Sequence, residues 1–81
     1  MSVAVEVLYF ASLRDAARTA GERLESDAAD LSALYEQLHQ RHGFALPRAR
    51  LRVAVDGAFA DWGEPLREGS TVAFIPPVSG G

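Results

Sequence analysis

The segment VAVEVLYF, residues 3–10, decides how this chain folds because both of its alternating faces are mostly apolar. Its odd-numbered residues, from Val3 to Tyr9, fall on one face of an extended strand. The other face carries Glu6 as its only charged residue. A strand that is apolar on both sides is typical of the interior of a sheet. We therefore predict that residues 3–10 form a central first strand.

The apolar segment Thr71–Ile75 predicts the last strand of the same sheet. Val72 and Phe74 fall on one face of this strand, and Ala73 and Ile75 fall on the other. Because both segments are strongly apolar, we expect the first and last strands to be buried neighbours.

A single long helix is predicted between these two strands. Its apolar positions recur at helical spacing and are Leu31, Leu34, Tyr35 and Leu38. Asp27 is expected at the N-cap with Asp30 three positions later, and Gly43 suits the left-handed turn that ends a helix. Before this helix, residues 11–21 predict a loop or short helix and residues 22–26 a weak edge strand.

An Asp-Gly pair at residues 56–57 is the strongest hairpin signal in the chain. It joins strands that we predict over residues 50–55 and 58–61. A two-residue loop places Ala54 opposite Phe59, and directly opposed residues share a face of the sheet. Phe59 is therefore expected to point to the side of the sheet that the helix does not cover.

This order of elements predicts an α+β fold of the β-grasp, or ubiquitin-like, type. We expect a mixed sheet of about five strands with one main helix packed on one face. Residues 1–75 would form this single domain, and residues 76–81 would leave it as an extended tail. Pro76 and Pro77 favour that geometry because neither residue can donate a hydrogen bond to a sheet.

Composition excludes several classes of function. The chain has 81 residues and a formal net charge of −3, and it contains no cysteine, which removes disulfides, zinc-thiolate sites and thiol nucleophiles. No apolar run approaches the roughly 20 residues that span a bilayer, and no signal peptide is visible, so a cytoplasmic protein without a membrane partner is expected. The acidic balance disfavours nucleic acid as a partner.

Two charged patterns have ordinary structural interpretations. Glu36, His39 and His42 recur at a spacing that metal sites use, but one helix offers no converging ligands, so we expect a solvated face and no metal site. The alternating arginines near the third strand are Arg48, Arg50 and Arg52. They indicate either an edge strand guarded by charge or a basic patch that steers acidic partners. Trp62 is expected to cover the core.

The sequence ends in PPVSGG, residues 76–81, and two terminal glycines arise by chance in roughly one chain in 200. Glycine suits a tail that must pass through a narrow channel and adopt unusual backbone angles. Residues 78–81 reach about 13 Å at roughly 3.3 Å per residue, which is enough to enter a partner's pocket. A terminal carboxylate becomes a good acyl donor once it is adenylated. Gly81 would then be the reactive residue.

Three segments of the chain resemble the MoaD family, the small sulfur-carrier subunits of molybdopterin synthase. They are residues 10–14 (FASLR), 53–55 (VAV) and 72–81 (VAFIPPVSGG), and the last is the most specific. The resemblance implies that an E1-like enzyme uses ATP to adenylate Gly81, and that a sulfur donor protein converts it to a thiocarboxylate. The residues that would insert into the large subunit are Pro76, Pro77, Val78, Ser79, Gly80 and Gly81.

In the family, sulfur passes from this tail to cyclic pyranopterin monophosphate during molybdenum cofactor biosynthesis. The resemblance thus implies a subunit of a sulfurtransferase that has no catalytic side chains and no permanently bound cofactor. The synthase would be a hetero-tetramer with the large subunit. Phe59 and Ile75 match family positions that touch the large subunit and the activating enzyme. Strand alternation adds Leu8, Phe10 and Ala54 to the same predicted partner-binding face.

Other functions remain open at this stage. A related carrier could serve thiamine or cysteine synthesis, although the two prolines before the tail argue against the thiamine type. A ubiquitin-like binding module with an inert terminus is an alternative of a different class. A weaker alternative is a protein modifier that is joined to lysines of other proteins.

Overall fold

The computed structural model describes residues 2–77, in which five strands form one mixed sheet. The elements in chain order are β1 (Val3–Tyr9), α1 (Ala11–Ala17), β2 (Gly21–Ser26), α2 (Leu31–His42), a 3₁₀ turn (Arg48–Arg50), β3 (Arg52–Val55), β4 (Ala58–Ala60) and β5 (Thr71–Ile75). The strand order across the sheet is β2-β1-β5-β3-β4. β1 and β5 are parallel, and the other neighbouring strands are antiparallel. The β-grasp prediction is confirmed.

The two most apolar strands lie together inside the sheet, as predicted. Val7 lies beside Val72, and Tyr9 lies beside Phe74 in the parallel pair. Strand β1 ends one residue earlier than predicted because Phe10 is the extended N-cap residue of α1. The loop or short helix expected at residues 11–21 is a helix over Ala11–Ala17.

The core lies between α2 and one face of the sheet. Its fully buried residues from the helix are Leu31, Leu34, Tyr35 and Leu38, and those from the sheet are Val5, Val7, Tyr9, Val53, Val72 and Phe74. Burial of each such side chain contributes about 1.5–3 kcal/mol before the cost of ordering it. Within residues 2–77, this one-sided packing leaves the opposite face of the sheet without a helix.

Trp62 covers one end of this core, as predicted. Its ring stacks on Phe74 at a centroid distance of 5.9 Å and an interplanar angle of 6°. The loop that carries Trp62 is fixed to the start of α2, because the Ser32 N–H donates to the Trp62 carbonyl at 2.9 Å. The Leu31 N–H similarly donates to the Glu64 carbonyl at 3.0 Å. These two bonds satisfy N–H groups that a helix start leaves without intrahelical partners.

The predicted N-cap of α2 is wrong by one turn. Asp30 is the N-cap, and its side chain accepts a hydrogen bond from the Ala33 N–H at 2.8 Å. Asp27 lies in the turn before it, where the Ser26 hydroxyl accepts a hydrogen bond from the Ala28 N–H at 3.0 Å. This local turn delays the helix. The predicted stop at Gly43 is confirmed, with a φ of 69°.

The arginine prediction is wrong in two respects. Arg48 and Arg50 do not extend the strand but form a 3₁₀ turn after Pro47, whose φ is −73°. β3 therefore begins at Arg52, and it is paired on both sides, so it is not an edge strand. The hairpin itself has the predicted register, with Ala54 opposite Phe59.

Among residues 2–77, neither helix is long and apolar enough to cross a membrane.

Candidate functional site

The open face of the sheet carries a row of apolar side chains that crosses four strands. Leu8 lies opposite Ala73, Ala73 lies opposite Ala54, and Ala54 lies opposite Phe59. Because each residue pairs directly with the next, all four point to the same face. Their neighbours along each strand, such as Val7, Val53 and Val72, point to the core. We call this set of four residues the open-face row.

The side chains of the open-face row are small in the middle of the row and larger at its two ends. Phe59 is 66% exposed, whereas Ala54 is only 8% exposed, so the expectation of an exposed patch is wrong for Ala54. Leu8 is half-buried because its side chain leans over Gly21, where an added Cβ would lie 3.0 Å from Leu8 Cδ2. Two small alanines between Leu8 and Phe59 therefore form the floor of a depression.

Ala73 is a member of the row that sequence reasoning left out of the partner-binding set. Strand alternation already assigned it to the open face, so the signal was present. Ala73 was not selected as a contact residue because an alanine side chain buries little area. Its importance here is positional, since it lies between Leu8 and Ala54 on the central strand.

Phe10 and Ile75 do not extend the open-face row but flank the point where the tail leaves the sheet. We call residues Ile75–Pro77 the tail root. Phe10 is 44% exposed and lies with Ile75 along a groove of about 480 Å³ beside the tail root. The remaining lining residues of this groove are Ala11, Ser12, Leu46, Pro76 and Pro77. We call it the apolar groove.

Leu46 is a second residue that sequence reasoning missed. It lies in an irregular segment, so no periodicity marks it. The Tyr35 hydroxyl donates a hydrogen bond to the Leu46 carbonyl and thereby ties this wall of the apolar groove to α2. Burial, with a smaller effect from the Glu36 charge, raises the pKa of Tyr35 to about 12. The hydroxyl therefore keeps its proton, and this bond, at neutral pH.

A second groove lies on the other side of the tail root. Its volume is about 430 Å³, and its lining residues are Ala49, Arg50, Leu51, Arg52, Phe59, Ile75, Pro76 and Pro77. The Arg52 guanidinium carbon lies 5.1 Å from the centre of the Phe59 ring, within range of a cation–π contact. We call it the arginine groove. Pro76 and Pro77 thus run between two grooves, one apolar and one that carries positive charge.

The structure describes the predicted tail only as far as Pro77. Pro76 and Pro77 are described, and neither belongs to a strand. Val78, Ser79, Gly80 and Gly81 lie outside the described residues.

The helix face for which we expected solvation is only partly exposed, because Glu36 is exposed whereas His39 and His42 are half-buried. The His42 side chain is only 15% exposed, and its Nε2 lies 2.7 Å from Glu22 Oε2 on the edge strand β2. The Tyr9 hydroxyl donates to the same carboxylate, and Arg41 Nη1 lies 3.6 Å from Glu22 Oε1. Burial by itself would raise the pKa of Glu22, but hydrogen bonds from Tyr9 and His42 and the nearby positive charges hold that pKa below its ordinary value.

This cluster has a structural role, because it ties the edge strand β2 to the end of α2. It does not gather metal ligands: between residues 2 and 77, no group of three or more histidine or acidic side chains is arranged to hold a metal ion.

Comparison with known proteins gives a consistent result. The family model described as the ThiS family matches residues 7–81. The molybdopterin synthase sulfur carrier subunit of Escherichia coli is 32% identical over 80 residues, covering 95% of this chain and 99% of the relative. The subunit of the same name from Mycobacterium tuberculosis is 36% identical over 86 residues, covering 98% and 99%.

Solved structures agree with the sequence relatives. A putative molybdopterin converting factor subunit 1 from Pyrococcus furiosus has a TM-score of 0.77 at 30% identity, covering 94% of this chain and 99% of that one. A Helicobacter pylori structure described as a complex of subunits 1 and 2 of molybdopterin-converting factor has a TM-score of 0.66 at 26% identity, covering 98% and 100%. The chain therefore belongs to the ThiS family, as a homologue of the sulfur carrier subunits of molybdopterin synthase.

Proposed function

We propose that this chain is the sulfur carrier subunit of a cytoplasmic molybdopterin synthase and that it carries sulfur as a thiocarboxylate on Gly81. The observation that carries the proposal is the position of the tail root. The chain leaves the sheet at the end of β5, between the apolar groove and the arginine groove and close to the exposed Phe59 ring. The family match also runs through residue 81, so the Gly-Gly pair lies inside it.

The chemistry proposed for the tail needs no side chain of this protein. A carboxylate oxygen of Gly81 attacks the α-phosphorus of ATP in an E1-like activating enzyme, and pyrophosphate leaves. A donor protein then supplies sulfur at the hydrosulfide oxidation level, which attacks the carbonyl carbon, displaces AMP as the leaving group and gives the thiocarboxylate. Acids and bases for sulfur transfer to cyclic pyranopterin monophosphate belong to the large subunit, with which the chain forms a hetero-tetramer.

The fold supports separate roles for the folded domain, which would bind the partner, and for the tail, which would enter the partner's pocket. The Helicobacter pylori relative is described as one partner of a two-subunit complex, and we propose an equivalent large subunit for this chain. The open-face row and the tail root would contact that subunit, with Phe59, Ile75 and Phe10 as the main apolar contacts and Leu8 and Ala54 beneath them. These contacts direct the residues after Pro77 into the partner's pocket.

The experiment that tests this proposal is mass analysis of the C-terminal peptide. The chain is incubated with ATP, an activating enzyme and a sulfur donor, and then digested. Replacement of one oxygen by sulfur should raise the mass of the peptide ending in Gly81 and of no other peptide. Mapping to the peptide matters because oxidation of Met1 or Trp62 changes the intact mass by nearly the same amount.

A shift confined to that peptide, followed by sulfur transfer to the pterin with the large subunit, supports the proposal. Absence of the shift, with an activating enzyme that modifies a known carrier in the same assay, would contradict it. Attachment of Gly81 to lysines of other proteins would instead support a modifier. Full function after deletion of Gly80 and Gly81 would indicate an inert binding module.

A further inference from the structure

We propose that Arg50 and Arg52 form a docking site for an acidic segment, rich in Asp or Glu, on the large subunit that receives the tail. The inference rests on the proposed function and specifies the chemistry of the partner surface. It concerns the arginine groove, on the side of the tail root that faces β3 and the 3₁₀ turn.

The two grooves beside the tail root differ in charge. Among residues 2–77, the two arginines are the only charged residues that line the arginine groove, and no charged residue lines the apolar groove. Two cavities elsewhere on the surface mix the two signs. One contains Glu6 and Arg23. Another contains Asp56, Glu64 and Arg67. A purely positive groove in a chain of net charge −3 is therefore a local feature and not a result of overall composition.

The two arginines have no acidic partner within the part of the chain that the structure describes. The ion pairs there join Glu22 to Arg41 and to His42. Arg50 and Arg52 are exposed, so water solvates their charges in the free protein. A partner that covered Phe59, Ile75 and the two prolines would also remove this water. Burying an unpaired guanidinium is strongly unfavourable, so that partner has to supply carboxylates.

The side chain of Arg52 is positioned to accept such a partner. Arg52 lies over the face of Phe59, and Arg48, at the start of the 3₁₀ turn, lies over Trp62 at 5.8 Å. Stacking holds the plane of a guanidinium while leaving its N–H edge free to bind a carboxylate in bidentate fashion. Arg52 also lies directly opposite Ile75 in the sheet, which places its charge beside the tail root.

A nucleotide phosphate would also attract guanidinium groups. The floor of the groove favours a protein segment instead, because Leu51, Phe59 and Ile75 offer apolar contact along its length. We therefore assign the groove to an acidic segment and treat phosphate binding as a competing outcome of the test.

The test measures binding of the full chain to the molybdopterin synthase large subunit of the same organism, at about 50 mM and about 500 mM salt. The double variant Arg50→Glu/Arg52→Glu should bind about 30-fold or more weakly at low salt and lose most of the salt dependence of the association rate. Arg52→Lys should keep the salt dependence but dissociate faster, because lysine has no planar bidentate edge. Arg23→Glu and Arg67→Glu are matched charge reversals in the mixed cavities, and they should change affinity less than about twofold.

Wild-type affinity and salt dependence in the double variant would overturn the inference, and so would equal losses in the two control variants. Competition by ATP or inorganic triphosphate that disappears in the double variant would assign the groove to phosphate and also overturn it. In each of these outcomes the wild-type chain still binds the large subunit and the proposed function survives. No binding by a wild-type chain that carries the thiocarboxylate would contradict both. Unchanged thermal unfolding of the exposed-site variants checks that the fold is intact.

Discussion

Ala54 lies directly opposite Phe59 in the β3–β4 pair, yet Ala54 is buried while Phe59 is two-thirds exposed. Both residues point away from α2, so the difference arises from size and position. Phe59 is on the edge strand, where its ring projects beyond the floor formed by the alanines of the inner strands. A large aromatic residue exposed in this way loses water when a partner covers it, which is the usual property of an interface hot spot.

Phe59→Asp is expected to weaken binding to the large subunit by about 100-fold, because it removes a central apolar contact and introduces a charge. Stability should change by less than about 0.5 kcal/mol, since the side chain is mostly exposed. Calorimetric titration of the large subunit and thermal unfolding measure the two effects. Ala58→Asp is the matched control, because it places the same charge on the adjacent residue, which points to the other face. Equal affinity of Phe59→Asp and wild type would remove Phe59 from the interface.

The double variant Pro76→Ala/Pro77→Ala should slow sulfur transfer. Each proline restricts the backbone by about 0.4–1 kcal/mol relative to alanine, so the added freedom of the tail should cost about 4- to 30-fold in the apparent second-order rate constant. Single-turnover transfer from the preformed thiocarboxylate measures this step. Pro65→Ala makes the same chemical change in a loop away from the tail root and should leave the rate unaltered. A rate equal to wild type in the double variant would show that stiffness at the tail root is unimportant.

Asp30→Ala should destabilise the protein by about 1 kcal/mol, because the Ala33 N–H loses the carboxylate that caps α2. For a domain of this size the corresponding decrease in melting temperature is about 4–8 °C. Asp27→Ala should cost less than about 0.5 kcal/mol, since Asp27 only accepts an exposed hydrogen bond from Gln37 at 3.2 Å. Chemical denaturation of both variants decides between the two aspartates. A larger loss of stability in Asp27→Ala than in Asp30→Ala would identify Asp27 as the N-cap of α2 instead.

The Glu22 cluster should make stability depend on pH in the acid range. Its folded-state pKa lies below the ordinary value of 4.5, so the stabilisation is fully present above that value and is lost as the pH falls through the folded-state pKa. Glu22→Gln should cost about 1–2 kcal/mol at neutral pH, because hydrogen bonds from Tyr9 and His42 lose a charged acceptor. Its stability should decline less than that of wild type between pH 5 and pH 3.

Urea unfolding at several pH values measures this difference. Glu25→Gln on the same strand is a control, because Glu25 is exposed and makes no salt bridge within residues 2–77. Parallel pH profiles for Glu22→Gln and wild type would contradict a stabilising role for the carboxylate.

Local sequence patterns determined most of the architecture. Apolar residues on both faces placed β1 and β5 together inside the sheet, and the Asp-Gly pair set the register that puts Phe59 on the open face. These features depend on side-chain period and on the backbone angles of a two-residue turn, which neighbouring residues specify. The resemblance of residues 72–81 to one family supplied the functional hypothesis.

Tertiary structure decided the features that join distant parts of the chain. Glu22 and His42 are 20 positions apart, and no periodicity predicts that they meet. Arg48 and Arg50 leave the strand in the 3₁₀ turn after Pro47, which alternation did not predict. Leu46 lines the apolar groove, and the Tyr35 hydroxyl holds it there by donating a hydrogen bond to its carbonyl. The sequence by itself determined which face of each strand and of α2 packs in the core, but not that Ala54 and His42 would be largely covered. Only packing of α2 and the connecting loops on the sheet decided which outward residues surround the tail root, because such contacts depend on the three-dimensional path of the whole chain.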